Sequence, residues 1–382
     1  MSRKNKKEQK RKMPLALKII LITLLTIVGL AVAFFAYLMI TEYRPDDVEP
    51  IKTEYYAGED GLKTLKKGDT VSLLTWNIGF GALGDNADFF MDGGEMVYTA
   101  DEDRVWQNLD KIAFDIRWLE KTPDIILMQE VDIDCSRTYG INQVEALSKA
   151  FAEENAYCRT FANNFKVEYL PYPWPPIGRV DSGILMFSAY RVDSAERVKL
   201  PCPFSWPSSM VNLKRCLTVN RIPVQDANGR ELVIVNLHLE AYDDGEGKIE
   251  QTKLLKKVLD EERAKGNYVI AGGDFNQSFS NYDVSAYPKY EGTWECGAID
   301  VADFGDEWTF LTDPSLPTCR SLDRVYAGAD PKDFQYYVID GYIVSSNIEV
   351  ISCKTLDFGF ESSDHNPVAL EVRLWTETKS GE

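Results

Sequence analysis

The chain has 382 residues, 27% charged and 45% hydrophobic, with 25 Gly and 17 Pro, which excludes collagen-like, low-complexity and wholly disordered classes. Residues 1–18 hold eight Lys/Arg against one acid, so they carry +7, and the whole-chain charge of −18 leaves −25 on the remainder. A body that acidic repels polyanions at long range and argues against a scanning nucleic-acid binder.

Ile19 to Ile40 is an uncharged run of 22 residues behind that basic cluster. As a helix it reaches about 33 Å, enough to cross a hydrocarbon core. The expectation is a basic cytoplasmic tail (1–18), a transmembrane anchor (19–40) and an extracytoplasmic body, following the positive-inside rule. The rival reading is a signal peptide cleaved near Ala31-Val32-Ala33, which would make the protein secreted. The length of the run favours the anchor. Residues 41–69 are polar, contain Pro and Gly, and read as a linker; residues 376–382 read as a tail.

Between them, 70–375 is expected to form one domain. Thr70–Asn77 and Asp124–Val131 read as buried strands. The intervening segment from Asp101 places Val105, Leu109, Ile112, Ile116 and Leu119 on one helical face and stops before Pro123. A helix is expected over Asn142–Glu154. Strands follow at Asp181–Ser188, Leu217–Val224 and Glu231–Leu239, the last two flanking the hairpin signal Asn228-Gly229. Gly247–Lys265 reads as a helix with Ile249, Leu254, Val258 and Leu259 apolar; Val269–Gly273, Val338–Val344 and Pro367–Leu374 complete the strands. Helices together with hairpins point to a mixed-sheet sandwich with helices outside rather than a doubly wound parallel sheet. The stretches Tyr169–Pro176 and Pro203–Pro207 read as Pro-braced loops whose Trp174 and Trp206 pack on the domain, the alternative being exposed rings that dip into a lipid interface or stack on a substrate. The seven Cys lack C-x-x-C spacing, which argues against structural zinc and leaves disulfide pairing open.

Polar residues cluster where these strands end: Asn77 in TWN, Glu130 in LMQEV, Asn236 and His238 in VNLHL, Asp274 and Asn276 in GGDFN, Asp340 in VIDGY, and Asp364-His365 in SSDHNPV. Carboxylates and amides are hard oxygen ligands suited to Mg²⁺ or Mn²⁺, and His supplies a base near neutral pH. Both of the chain's histidines fall in these runs. Taken singly, each residue has a bland reading as a strand-end cap, a satisfied core histidine or an Asx turn.

Six such motifs in this order resemble the endonuclease/exonuclease/phosphatase superfamily over about residues 70–375. The resemblance implies a four-layered α/β sandwich of two packed mixed β-sheets with helices outside, preceded here by one transmembrane helix, and Mg²⁺-dependent (or Mn²⁺-dependent) hydrolysis of phosphate esters. It assigns the metal to Glu130, with Asn77 nearby and Asp364 as a further ligand. His365 falls at the general base, Asp340 at the carboxylate that orients it, and Asp274 at the group that positions the water. Asn276 and His238 fall at the donors to the phosphoryl oxygens. Arg137, Tyr139 and Arg320 are candidates for touching substrate phosphate. Where the family reads I-D-Y, this chain has Ile339-Asp340-Gly341-Tyr342, and Gly341 is expected to mark a local bulge. A phospholipid or other small phosphoester is the favoured substrate and the membrane an expected partner through the N-terminal helix. An extracytoplasmic endonuclease or exonuclease acting on DNA or RNA is the alternative, disfavoured by charge. A non-catalytic binding module of the same fold is the second, disfavoured because no ligand or base is missing.

Overall fold

A computed structural model of the chain describes residues 13–374 apart from 57, 59, 153–155 and 244. Most of the basic tail, the end of the helix expected over 142–154 and the 376–382 tail therefore lie outside the described residues. The chain divides into two units, Met1–Glu42 and Tyr43–Glu382. In the first, α1 runs over Leu15–Thr41, slightly longer than the apolar run, and is long and apolar enough to cross a membrane.

In the second unit, the described residues build two large sheets, both mixed. One runs, edge to edge, Ile348–Thr355, Val368–Leu374, Thr70–Asn77, Ile125–Asp132, Gly178–Ser188, Cys158–Leu170 and Glu54–Tyr55. The other runs Val48–Ile51, Ser194–Lys199, Cys216–Gln225, Glu231–His238, Tyr268–Asp274, Asp340–Ser345 and Trp308–Leu311, with Leu65–Lys66 beside 216–225. Strand alternation sorts the apolar residues into layers. Leu73, Ile125, Leu127 and Met186 of the first sheet meet Ile222, Leu232, Ile234, Ile270 and Val344 of the second between the sheets. On the outer face of the first, Leu74, Ile126 and Phe187 pack on Leu109 and Ile112 of α2 (Glu102–Arg117) and Leu147 of α3 (Gln143–Ala152). On the outer face of the second, Val233, Val235 and Val269 pack on Leu255 and Leu259 of α4 (Glu246–Ala264). This is the expected four-layered sandwich.

Each sheet contains one parallel pair joined by a helical crossover: 70–77 with 125–132 through α2, and 231–238 with 268–274 through α4. The crossovers bring the carboxyl ends of both pairs to one edge of their sheets, where ligand sites of open α/β sheets form. α2 begins where Asp101 accepts a hydrogen bond from the Arg104 amide at 2.8 Å. Buried amides tie the sheets together: Gln129 Nε2 donates to Asn236 Oδ1 at 2.8 Å, and Asn236 Nδ2 donates to the Leu185 and Met128 carbonyls at 3.0 and 3.3 Å.

Several expectations are corrected. Of the expected 41–69 linker, the stretch from Tyr43 on is part of the second unit, since Val48–Ile51 pairs antiparallel with 194–199, Glu54–Tyr55 with 158–170 and Leu65–Lys66 parallel with 216–225. Short edge strands carrying Pro50 and polar residues leave no hydrophobic period to read. Cys158–Leu170, Ser194–Lys199, Trp308–Leu311 and Ile348–Thr355 are strands where none was expected, because their outward positions are charged or polar. Ile249, expected on the apolar face of α4, is exposed. Trp174 and Trp206 do not pack on the domain; they are 88% and 66% exposed. The seven cysteines, whose pairing the sequence left open, are free thiols.

Candidate active site

Register places the first part of the site. His238, Asp274 and Asp340 are cross-strand neighbours in one row of the second sheet, and Asn77 lies opposite Gln129 at the matching edge of the first. Glu130 sits where the 125–132 ladder slips against 178–188, with φ 55. A bulge residue in the left-handed region turns its side chain away from the regular alternation, here into the cleft. Asn276 likewise has φ 51, and its backbone amide donates to Asp274 Oδ1 at 2.8 Å. Its side-chain Nδ2 donates to the Leu239 carbonyl at 2.9 Å, leaving the second amide proton for a ligand.

Gly341 is not in a bulge. It pairs in regular register with Gly273, and a β-carbon there would lie 2.4 Å from the Leu311 carbonyl oxygen. The glycine lets the 308–311 strand approach, and Asp340 keeps its place. Asp340 Oδ2 accepts from His365 Nδ1 at 2.9 Å. His365 is fixed from behind by its own backbone: its amide donates to Ser363 Oγ at 3.1 Å, Ser363 Oγ donates to the Asn77 carbonyl at 2.8 Å, and the Trp76 indole donates to the His365 carbonyl at 2.9 Å. Its free Nε2 lies 3.9 Å from both Asp274 Oδ2 and Asp364 Oδ2. Asn77 Nδ2 donates to Asp274 Oδ2 at 3.0 Å and to Glu130 Oε1 at 3.4 Å, while its Oδ1 accepts from the Gly79 amide at 3.1 Å. His238 Nε2 lies 3.5 Å from Asp274 Oδ2 and 4.0 Å from Glu130 Oε1. Asn77, Glu130, His238, Asp274, Asn276, Asp364 and His365 line one cleft of about 720 Å³.

Burial and crowding set the electrostatics. Burial opposes charge on His365, but Cys319, Asp340 and Asp364 outweigh it and hold the imidazole well above its ordinary pKa. His238 goes the other way, pushed well below by burial and by Arg215. Burial and then Asp340 raise Asp274 to about 7. Burial and then Asp364 raise Glu130, and burial with the charge of Asp340 raises Asp364 against His365 and Arg320. Neither of these two carboxylates forms an ion pair with Lys or Arg among the described residues, so their hard oxygens suit a divalent cation. Cys319, Asp364 and His365 also lie within ligand distance of one another. Burial lifts the Cys319 thiol to about 12, so it is a poor ligand near neutral pH.

The three substrate candidates divide. Arg137 lines the cleft with its guanidinium committed to Asp132, at 2.9 and 3.1 Å, and lying 3.6 Å above the Phe80 ring. Arg320 also lines it but is buried, donating to the Gly84 and Ser321 carbonyls at 2.8 and 3.0 Å. Tyr139 is not among the lining residues; its hydroxyl donates to the Ala100 carbonyl at 3.1 Å. Sequence reasoning missed Asp92, Tyr242 and the buried pair Arg215–Glu240, whose Nε–Oε2 separation is 3.2 Å. They come from loops and strand ends without a period, and only HLE at 238–240 offered a hint.

Residues 74–365 match the model of the Endonuclease/Exonuclease/phosphatase family. No curated protein matches the chain. Among solved structures, the endonuclease/exonuclease/phosphatase from Beutenbergia cavernae is 18% identical, covers 80% of this chain and 72% of its own, and has a TM-score of 0.55. That from Bacteroides vulgatus is 17% identical over 80% of this chain and 99% of its own, with a TM-score of 0.49.

Proposed function

Because the chain belongs to the endonuclease/exonuclease/phosphatase family, a family of phosphoester hydrolases, we propose that it is a Mg²⁺-dependent phosphodiesterase acting on a phospholipid or another small phosphoester. The observation that carries this reading is the 2.9 Å contact between His365 Nδ1 and Asp340, with Nε2 left facing a cleft walled by Asp274, Asp364, Glu130 and His238.

Asp340 fixes the imidazole tautomer that leaves Nε2 unprotonated and stabilises the imidazolium formed when Nε2 takes a proton from water. Asp274 is placed to hold that water through Oδ2. His238 is kept neutral, so it can donate one N–H toward a phosphoryl oxygen without adding a competing cation, and Asn276 adds its second amide proton. Glu130 and Asp364, with Asn77 beside Glu130, would hold the cation. When bound, that ion neutralises phosphoryl charge and assists the leaving oxygen.

The test is hydrolysis of bis(p-nitrophenyl) phosphate, sphingomyelin, inositol phosphates and DNA by the full chain. We expect turnover of the small or lipid esters that is abolished by EDTA and restored by Mg²⁺. Turnover of DNA alone would end the substrate preference, and undiminished turnover in EDTA would end the metal assignment.

A further inference from the structure

The Cys319 thiol takes no part in that chemistry, yet it lies beside the base. Cys319 opens the short strand Cys319–Arg320, which pairs with Tyr336–Tyr337 on one side. On the other side Cys319 stands directly opposite His365 in an antiparallel bridge. That register is locked, since the Arg320 amide donates to the Asp364 carbonyl at 3.0 Å and the Asn366 amide to the Thr318 carbonyl at 2.8 Å. With those bonds on the flanking residues, Cys319 and His365 are a non-hydrogen-bonded pair, the kind whose side chains stand closest, on one face. Ligand atoms of Cys319, His365 and the adjoining Asp364 lie within 4.8 Å of one another, and all three residues are buried and line the cleft.

This donor set differs in kind from the oxygen ligands around Glu130. Sulfur and imidazole nitrogen select borderline and soft cations such as Zn²⁺ and Cd²⁺ over hard Mg²⁺. Burial keeps the thiol protonated beside a hard ion, whereas a thiophilic cation displaces that proton outright. The far side of the ring is already arranged for such an ion. Asp340 Oδ2 accepts from His365 Nδ1 at 2.9 Å, the carboxylate–histidine support that aims Nε2 at a bound zinc. Nε2 lies 3.9 Å from Asp364 Oδ2. A closing of about half an ångström brings both onto one tetrahedral ion with bonds of about 2.0–2.1 Å. Three protein ligands leave the fourth position open to water in the cleft.

We propose that Cys319, Asp364 and His365 form a site for a thiophilic divalent cation, Zn²⁺ or Cd²⁺, whose binding switches hydrolysis off. The ion takes the Nε2 lone pair that otherwise accepts the proton from water, and it takes Asp364 from Mg²⁺; the thiol proton leaves to solvent. Binding stands on the ligand geometry alone, whereas inhibition rests on the hydrolytic reading of the site. The test compares the full chain with its Cys319→Ser variant, in which a hydroxyl of similar size replaces the thiol. Titration with Cd²⁺ should raise an ultraviolet thiolate-to-metal charge-transfer band in the wild type that Cys319→Ser lacks, the difference spectrum cancelling the other six thiols. Inhibition is read with bis(p-nitrophenyl) phosphate at fixed Mg²⁺, each protein normalised to its own rate without Zn²⁺. The Zn²⁺ concentration for half-inhibition should rise about tenfold or more in Cys319→Ser. Identical Cd²⁺ spectra overturn the site, and equal Zn²⁺ sensitivity of the two proteins overturns the switch. Should neither protein hydrolyse the ester, the hydrolytic reading fails and the spectra alone decide the site.

Discussion

His365 and His238 are the only histidines in the chain, and their surroundings drive them in opposite directions. His365 has carboxylates on both sides, while His238 is buried with Arg215 hydrogen-bonded to its own carbonyl at 3.3 Å. Opposite shifts of this kind are how one site keeps a proton acceptor and a neutral donor together. His365→Ala is expected to lower kcat by about 10²–10⁴-fold, the usual worth of a positioned base. Asp340→Asn removes a charge that favours the imidazolium, so the pKa of His365 falls. Because the base must be neutral, the acidic limb of the pH–rate profile should move to lower pH while the plateau drops. A profile measured over pH 5–9 that falls in amplitude without moving would show that Asp340 acts only by orientation.

At the scale of the elements, two contacts have measurable consequences. A β-carbon at Gly341 would meet the Leu311 carbonyl oxygen at 2.4 Å. Gly341→Ala should therefore cost about 1–3 kcal/mol, the usual penalty of overpacking, read as a lower urea midpoint with an unchanged slope. The second contact clamps α4 to the 216–225 strand: Arg221 donates two hydrogen bonds to Glu262 at 2.6 and 2.7 Å. Burial pushes Glu262 up, but Arg221, Lys265 and Asn267 outweigh it and bring its pKa down to about 2. With a folded value below the unfolded one, this carboxylate stabilises the protein above about pH 4.5 and loses that contribution as pH falls toward 2. The shift corresponds to about 3 kcal/mol. The stability gap between wild type and Glu262→Gln should be full at pH 6 and shrink steadily on acidification. A constant gap over pH 3–6 would assign the effect to packing alone.

For the whole molecule, the contrast is between a 27-residue apolar helix and an acidic α/β body. The full chain is expected in the membrane pellet after alkaline carbonate extraction, and a chain beginning at Tyr43 in the supernatant. Recovery of the full chain as soluble protein, with a new amino terminus near Ala33, would establish the cleaved-signal reading instead.

The sequence alone determined the mixed-sheet sandwich with helices outside, the apolar helix and the polar residues that end the strands of the site, and its motif order implied the four layers through the family resemblance. Periods of two and 3.6, and polar residues stopping apolar runs, are local properties of the chain. It could not disclose the edge strands at 48–51, 54–55 and 65–66, whose stability comes from a neighbour's hydrogen bonds rather than from their own pattern. Nor could it place Asp92 against Tyr242, 150 residues away, or give Gly341 its reason, which is a carbonyl on another strand. Such relations are fixed only when crossover connections and sheet register bring distant segments to one edge, because there the energy depends on which groups meet and not on which groups follow one another.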